Sequence, residues 1–256
     1  AETTSGKILP PGRYFRCEYA VAGKAVKKAR LYATSLGIYQ FYMNGQRVGD
    51  EYFSPGWTDY NQRLYYRTYD VTNMLCEGDN AIGAVLADGW YAGYIGFKKE
   101  RNVYGQYLRL LGQLNIEYED GTKQVIATGP EWKASLGPIQ QADFLQGEVY
   151  DARLEMPEWN KPGFDDAGWQ KVAIGSNEVH PQVQAAMSEP VVVFEKVRPV
   201  SVTEPASRCF VFNMGQNFAG VVRLKVRGQT GQKIQLRHAE RLNPDSTIYT
   251  TNLRAA

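Results

Sequence analysis

A chain of 256 residues is long enough for two domains, and its net charge of +2 gives no basic excess of the kind that binds nucleic acid. Its hydrophobic share of 43% and charged share of 22% are ordinary for a globular protein and exclude a disordered one. No apolar run approaches the length needed to cross a bilayer, so neither a membrane nor nucleic acid is expected as a partner.

The first part of the chain has the alternating pattern of antiparallel strands. Asn44-Gly45 stands between predicted strands at 37–43 and 47–49, and Asn-Gly is the strongest short hairpin signal because both residues accept a positive φ. A second hairpin is predicted to turn at 119–121, between strands 108–118 and 123–127. Further strands are predicted at 29–32, 64–71 and 81–87, with loops at 143–153 and 157–169.

A polar segment at 176–190, rich in proline, predicts a domain boundary. We place the first domain at 1–178 and the second at 179–256. Strands are predicted in the second domain at 191–197, 210–212, 220–226 and 232–236. The part of the chain that follows the polar segment is short for a self-sufficient sandwich, so the second domain is expected to be incomplete.

Cysteine usage indicates neither a disulfide framework nor a zinc site. The chain has three cysteines, Cys17, Cys76 and Cys209, and they form no CxxC motif. We interpret them as buried small hydrophobic residues.

Several motifs occur in a characteristic order along the chain. They are LGIYQFYMNGQRVG at 36–49, SPGWTDY at 54–60, YRTYDVT at 66–72, GDN at 78–80, ADGWYAG at 87–93, GEVYDAR at 147–153, FDDAGW at 164–169, FNMGQNFAG at 212–220 and RHAERL at 237–242. Together they resemble glycoside hydrolase family 78, the bacterial α-L-rhamnosidases.

The resemblance implies an all-β chain, with a jelly-roll (galactose-binding-like) β-sandwich followed by a partial second β-sandwich. In the family, a catalytic (α/α)6 barrel follows such domains and performs inverting hydrolysis of terminal α-L-rhamnosyl bonds. We therefore assign no catalytic residue and expect this chain alone to be inactive. The implied partners are a rhamnose-containing glycan or glycoside and the barrel of the same polypeptide, and the implied location is periplasmic or secreted rather than cytoplasmic.

Two other groups of charged residues are interpreted as structural. Asp165-Asp166 lies in a turn where aspartates accept hydrogen bonds from nearby backbone amides. His238 and Glu240 share one face of a predicted strand, where a satisfied pair is commoner than an acid–base pair.

Three loops combine aromatic rings, which stack on sugar C–H bonds, with polar groups that bind hydroxyls. We expect them to converge at one end of the jelly roll and to contact sugar. The predicted sugar-binding residues are Trp57, Asp59, Tyr60, Asp88, Trp90, Tyr91, Tyr150, Asp151 and Arg153. The alternative interpretation is that these aromatic residues are buried packing residues, and that the aspartates stabilise the loops.

The first domain is also similar to the family 67 rhamnose-binding modules, which hold rhamnose through calcium. Calcium prefers six to eight oxygen ligands. This similarity implies a calcium site, with Asp59, Asn61, Asp88 and Asp143 as candidate ligands. An autonomous rhamnose-binding module therefore stays open beside the non-catalytic portion of an enzyme.

Overall fold

A computed structural model describes residues 9–96, 100–175 and 181–253. The chain divides into two compact units, Ala1–Val191 and Val192–Ala256. No helix among the described residues is long and apolar enough to cross a membrane.

Among its described residues, the first unit contains thirteen strands and one four-residue helix. In chain order these are β1 (Arg13–Val21), β2 (Val26–Leu36), β3 (Ile38–Met43), β4 (Gln46–Arg47), β5 (Arg63–Asp70), β6 (Gly78–Ala87), α1 (Gly89–Ala92), β7 (Arg109–Tyr118), β8 (Lys123–Ala127), β9 (Lys133–Leu136), β10 (Ile139–Asp143), β11 (Gly147–Tyr150), β12 (Gln170–Lys171) and β13 (Gln182–Ala185). Short 3-10 turns cover Thr72–Met74 and Ala152–Leu154.

Two sheets form a β-sandwich. One has the order β12-β9-β1-β6-β3-β4 and the other β13-β5-β2-β7-β8, while β10 and β11 make a separate hairpin. All pairings are antiparallel except the parallel pairing of β13 with β5. The all-β sandwich is confirmed.

The core lies between the two sheets, because alternate residues of each central strand point inward. Strand β3 and its neighbour β6 contribute buried side chains from the six-stranded sheet, and β7 contributes them from the five-stranded sheet. The core includes Tyr39, Phe41, Met43, Ile82, Ala84, Leu86, Leu114 and Ile116.

The loop at 151–169 covers the outer face of the six-stranded sheet. Trp159 lies directly on Gly83 of β6, where a Cβ would come within 2.5 Å of its Cζ3 atom. Arg16 of β1, only 1% exposed, donates hydrogen bonds to the carbonyl oxygens of Trp159 (2.9 Å) and Lys161 (3.0 Å) and pairs with Asp166. A charged residue thus fixes the loop to the sheet.

The predicted hairpins and the strands of the first domain's central sheets are confirmed. Asn44 and Gly45 have φ of 50° and 84°, as the turn chemistry requires. The predicted loop at 143–153 is partly wrong, because β11 lies within it and pairs with β10. Strand β1, which the sequence analysis did not predict, forms long ladders with β6 and β9.

The structure divides the chain later than the boundary expected from sequence. Strand β13 extends the five-stranded sheet beside β5, and Tyr52 forms an antiparallel bridge with Val191. Backbone hydrogen bonds therefore hold 182–191 to the first unit, although the sequence analysis placed these residues in the second domain.

Within residues 192–253 of the second unit, β14 (Ser201–Ala206) and β15 (Cys209–Asn213) form a hairpin. The predicted strand at 210–212 lies within β15 and is confirmed. The strands predicted at 220–226 and 232–236 are not formed, because the structure gives these residues no strand pairing. At 191–197 the prediction is also wrong, since only Val191 pairs, in an isolated bridge.

Candidate functional site

Trp90 is carried by α1, which follows β6 through a tight turn. Gly89 has a φ of +53°, and a Cβ there would lie 2.6 Å from Cγ2 of Ile38. At the other end of the helix, the amide of Gly93 donates to the carbonyl of Gly89 (3.1 Å). This close packing fixes the direction in which Trp90 leaves the sheet.

Trp57 lies beside Trp90, on the loop before β5. The two indole rings stack with centroids 5.9 Å apart and an angle of 6° between their planes. The Nε1 group of Trp57 donates to the hydroxyl of Tyr104 (3.3 Å), and the side chain is 53% exposed. The structure therefore brings the first two predicted loops together.

The tip of the β10–β11 hairpin completes this group of rings. Phe144 packs on Trp90 with centroids 4.5 Å apart and on Phe53 at 5.1 Å. We call Phe53, Trp57, Trp90, Tyr104 and Phe144 the aromatic surface. Phe53, Tyr104 and Phe144 were not predicted from the sequence, although Asp143-Phe144, an aromatic residue in a predicted loop, is a usable signal.

Tyr60 and Tyr91 lie beneath the aromatic surface, in a small second core with Leu36, Leu64 and Ala92. Tyr60 is fully buried and donates its hydroxyl hydrogen to the carbonyl of Gly56 (3.1 Å). Burial raises the pKa of both tyrosines. Both predicted sugar-binding tyrosines therefore support the aromatic surface from below.

Asp88 is also buried, with 4% exposure, immediately before α1. Its carboxylate forms an ion pair with Arg101, with 2.5 Å between Oδ2 and Nη2. Burial raises the pKa of Asp88, against the opposing effects of Arg101 and Arg13. This carboxylate, a predicted sugar-binding and calcium-binding group, is therefore engaged within the protein.

The four candidate calcium ligands do not assemble. Asp143 accepts hydrogen bonds from the amides of Tyr94, Leu145 and Gln146, all within 2.9 Å, and Asp88 is paired as above. Asp59 accepts from the backbone amide of Asn61. In the part of the chain that the structure describes, no group of three or more His, Cys, Asp or Glu residues is placed to hold a metal. The donor set of Asp59, Asn61, Asp88 and Asp143 does not fit calcium.

The third predicted loop lies at the other end of the β10–β11 hairpin. Tyr150 is opposite Ile139, whereas the tip is at Asp143 and Gly147. Three residue steps along β11 separate Tyr150 from Gly147, about 10 Å at 3.3 Å per residue. The structure does not bring this loop to the aromatic surface.

Within the third loop, the polar groups are paired with one another. Asp151 accepts from the backbone amide and the guanidinium of Arg153, and these hydrogen bonds lower its pKa to about 2. The hydroxyl of Tyr150 donates to Glu155 (2.8 Å).

The structure also shows the surroundings of the two groups of charged residues that we interpreted as structural. Asp165 accepts from the amide of Ala167, and Asp166 pairs with Arg16 and Lys133. His238 and Glu240 are exposed and lie outside any strand, so the predicted strand there is wrong.

Comparisons with known proteins match both units. A family model described as the alpha-L-rhamnosidase N-terminal domain matches residues 24–195. A second, the bacterial alpha-L-rhamnosidase concanavalin-like domain, matches residues 203–256.

Relatives and solved structures agree with the family models. An alpha-L-rhamnosidase of Streptomyces avermitilis is 47% identical over 254 residues, which are 98% of this chain and 25% of that protein. One from an Alteromonas species is 36% identical, over 98% of this chain and 27% of that protein. The chain thus spans about a quarter of the length of these relatives.

The crystal structure of the S. avermitilis alpha-L-rhamnosidase complexed with L-rhamnose superimposes with a TM-score of 0.95 at 47% identity, over 97% of this chain and 24% of that one. The native enzyme from Aspergillus terreus gives a TM-score of 0.90 at 37% identity, over 98% of this chain and 29% of that one. The chain therefore belongs to the α-L-rhamnosidase family, of which it carries the N-terminal domain.

Proposed function

We propose that this chain is the non-catalytic N-terminal portion of an α-L-rhamnosidase that hydrolyses terminal α-L-rhamnosyl linkages in glycans or glycosides. In this proposal it supports an (α/α)6 catalytic barrel of the same polypeptide. The observation that carries the proposal is the N-terminal domain match over 24–195, together with the quarter of the relatives' length that the chain spans.

The state of the carboxylates near the aromatic surface favours a non-catalytic role. Inverting glycosidases need an acid and a base about 6.5–9.5 Å apart, with room for water between them. Asp88 is buried in an ion pair, and Asp143 accepts three backbone amides. Carboxylates engaged in this way are poor candidates for proton transfer to or from a substrate.

The supporting role is tested on the longer polypeptide that contains the barrel, with and without residues 1–191. We expect deletion to lower the melting temperature of the barrel and its activity on nitrophenyl α-L-rhamnoside. A deleted form that melts and turns over as the intact protein does would refute the supporting role.

The stacked, half-exposed Trp57 favours a second function, in which the aromatic surface binds rhamnose. The apolar face of a pyranose packs well on flat indole rings, and the Tyr104 hydroxyl lies at their edge. The crystal structure of the S. avermitilis relative is a complex with L-rhamnose, so this sugar is the natural probe.

Calorimetric titration with L-rhamnose tests this second function. We expect Trp57→Ala and Trp90→Ala to abolish measurable binding, and Tyr150→Ala, at the far end of the hairpin, to leave it unchanged. Titrations with a chelator and with added calcium measure any contribution of the ion separately. Equal affinity in all three variants and the unsubstituted chain would exclude the aromatic surface as the binding site.

A further inference from the structure

One arginine is bound to both ends of the helix that carries Trp90. The Nη2 group of Arg101 pairs with Asp88, the residue before α1. Its Nε group donates to the carbonyl of Ala92, the last residue of α1 (3.2 Å), and the amide of Asn102 donates to the same carbonyl (3.0 Å). A four-residue helix is too short to be stable by itself, so these contacts determine where it lies.

Two glycines make close contacts with α1. A Cβ on Gly93 would come within 2.4 Å of the Gly89 carbonyl oxygen and 2.9 Å of Oδ2 of Asp143. A Cβ on Gly105 would lie 2.1 Å from the Tyr91 hydroxyl. Larger residues at Gly93 and Gly105 would therefore collide with the end of α1 and with Tyr91.

A buried ion pair contributes little net stability compared with well-packed apolar residues, because desolvation offsets the attraction. Its geometry is nevertheless specific, since a guanidinium offers donors in a fixed planar arrangement. The main effect of the Asp88–Arg101 pair is therefore expected on the position of α1 rather than on the stability of the whole sandwich.

We infer that Asp88 and Arg101 are positioning residues that hold Trp90 in its stack with Trp57. They thereby preorganise the aromatic surface to accept the flat apolar face of a sugar ring. A site held in its binding geometry avoids the cost of ordering when the ligand arrives. The ligand part of this inference rests on the second proposed function, and the positioning part does not.

The test compares Asp88→Asn with Asp151→Asn, which removes an exposed Asp–Arg pair of the same chemistry as a matched control. Both proteins are labelled with fluorotryptophan, which gives one fluorine resonance for each of the five tryptophans. The resonances of Trp57 and Trp90 are assigned from Trp→Phe variants. Affinity for L-rhamnose is measured on the same samples.

In Asp88→Asn we expect the Trp57 and Trp90 resonances to shift or broaden while the other three stay in place. Affinity for L-rhamnose is expected to fall about tenfold, as when a site becomes loose without losing a contact. Asp151→Asn is expected to change neither readout.

The outcomes separate the two proposals. If the unsubstituted chain does not bind rhamnose, the second function fails and the fluorine spectra alone decide the positioning role. Unchanged Trp57 and Trp90 resonances in Asp88→Asn overturn the inference, and lost affinity with unchanged resonances would instead make Asp88 a sugar contact. If Asp88→Asn does not fold, Arg101→Lys decides, because it keeps the charge but not the planar set of donors; unchanged spectra there overturn the inference.

Discussion

Replacing Arg16 by methionine should loosen the loop at 151–169 from the six-stranded sheet. Methionine keeps the apolar stem of the side chain and removes the guanidinium. Two backbone carbonyls, of Trp159 and Lys161, then lose their donors, and the carboxylates of Asp166 and Glu18 lose an ion-pair partner.

The magnitude follows from how well these groups can find other partners. Removing one member of a buried ion pair costs about 3–5 kcal/mol, and each orphaned buried acceptor about 1–3 kcal/mol. Asp166 keeps its pairing with Lys133, and the side chains of Asp166 and Glu18 are 19% and 39% exposed, so water replaces part of what is lost. We therefore expect a loss near the low end, about 3 kcal/mol, or roughly 6–12 °C in melting temperature.

Urea unfolding followed by tryptophan fluorescence measures this loss in the first unit, because all five tryptophans lie between Trp57 and Trp169. Lys27→Met, which removes an exposed pair with Glu117, is the control and should leave the midpoint unchanged. A loss below about 1 kcal/mol in Arg16→Met would refute the reasoning.

The pH dependence of the free energy of unfolding is an independent test of the pair formed by Arg16 and Asp166. Burial raises the pKa of Asp166, but hydrogen bonds from Lys133 and Arg16 outweigh it and leave the pKa below its usual value. The stabilisation is therefore complete above the unfolded pKa of about 3.9 and is lost as pH falls through the lower folded pKa. As pH falls over that range, the difference in the free energy of unfolding between Arg16→Met and the unsubstituted chain should become smaller.

Two further predictions concern local packing and charge. Gly83→Ala, whose Cβ would lie 2.5 Å from Trp159, should destabilise the first unit by about 1–3 kcal/mol in urea, while Gly168→Ala, with nothing within 4 Å, should not; equal midpoints would contradict this. Arg153→Met should raise the pKa of Asp151 from about 2 towards its ordinary value in an NMR titration, so that the carboxyl gains its proton at higher pH. A carboxyl that still titrates near 2 would show that Arg153 is not the cause.

Local chemistry explains which elements could be predicted from sequence. The hairpin at Asn44-Gly45 depends on two adjacent residues that accept positive φ, so no distant partner is needed. Strand β1 was missed because Arg16, a charged residue in its middle, is buried among partners that include Asp166 and two carbonyls 143 and 145 residues later. The residue pattern of one segment does not indicate partners that lie so far along the chain.

The candidate site was also predicted only in part, because some of its contacts depend on residues distant in sequence. Trp57 and Trp90 were predicted from loop composition, and their loops do meet. Phe144 was missed because its contact with Trp90 depends on the register of β10 with β11. That register also carries Tyr150 away from the aromatic surface.

The most direct test of the central claim is an assay of the purified 256-residue chain with nitrophenyl α-L-rhamnoside, beside the longer polypeptide that contains the proposed barrel. The account predicts release of nitrophenol by the longer protein and none above background by this chain. Turnover by this chain that survives repurification would contradict it, and would place catalytic carboxylates within these residues.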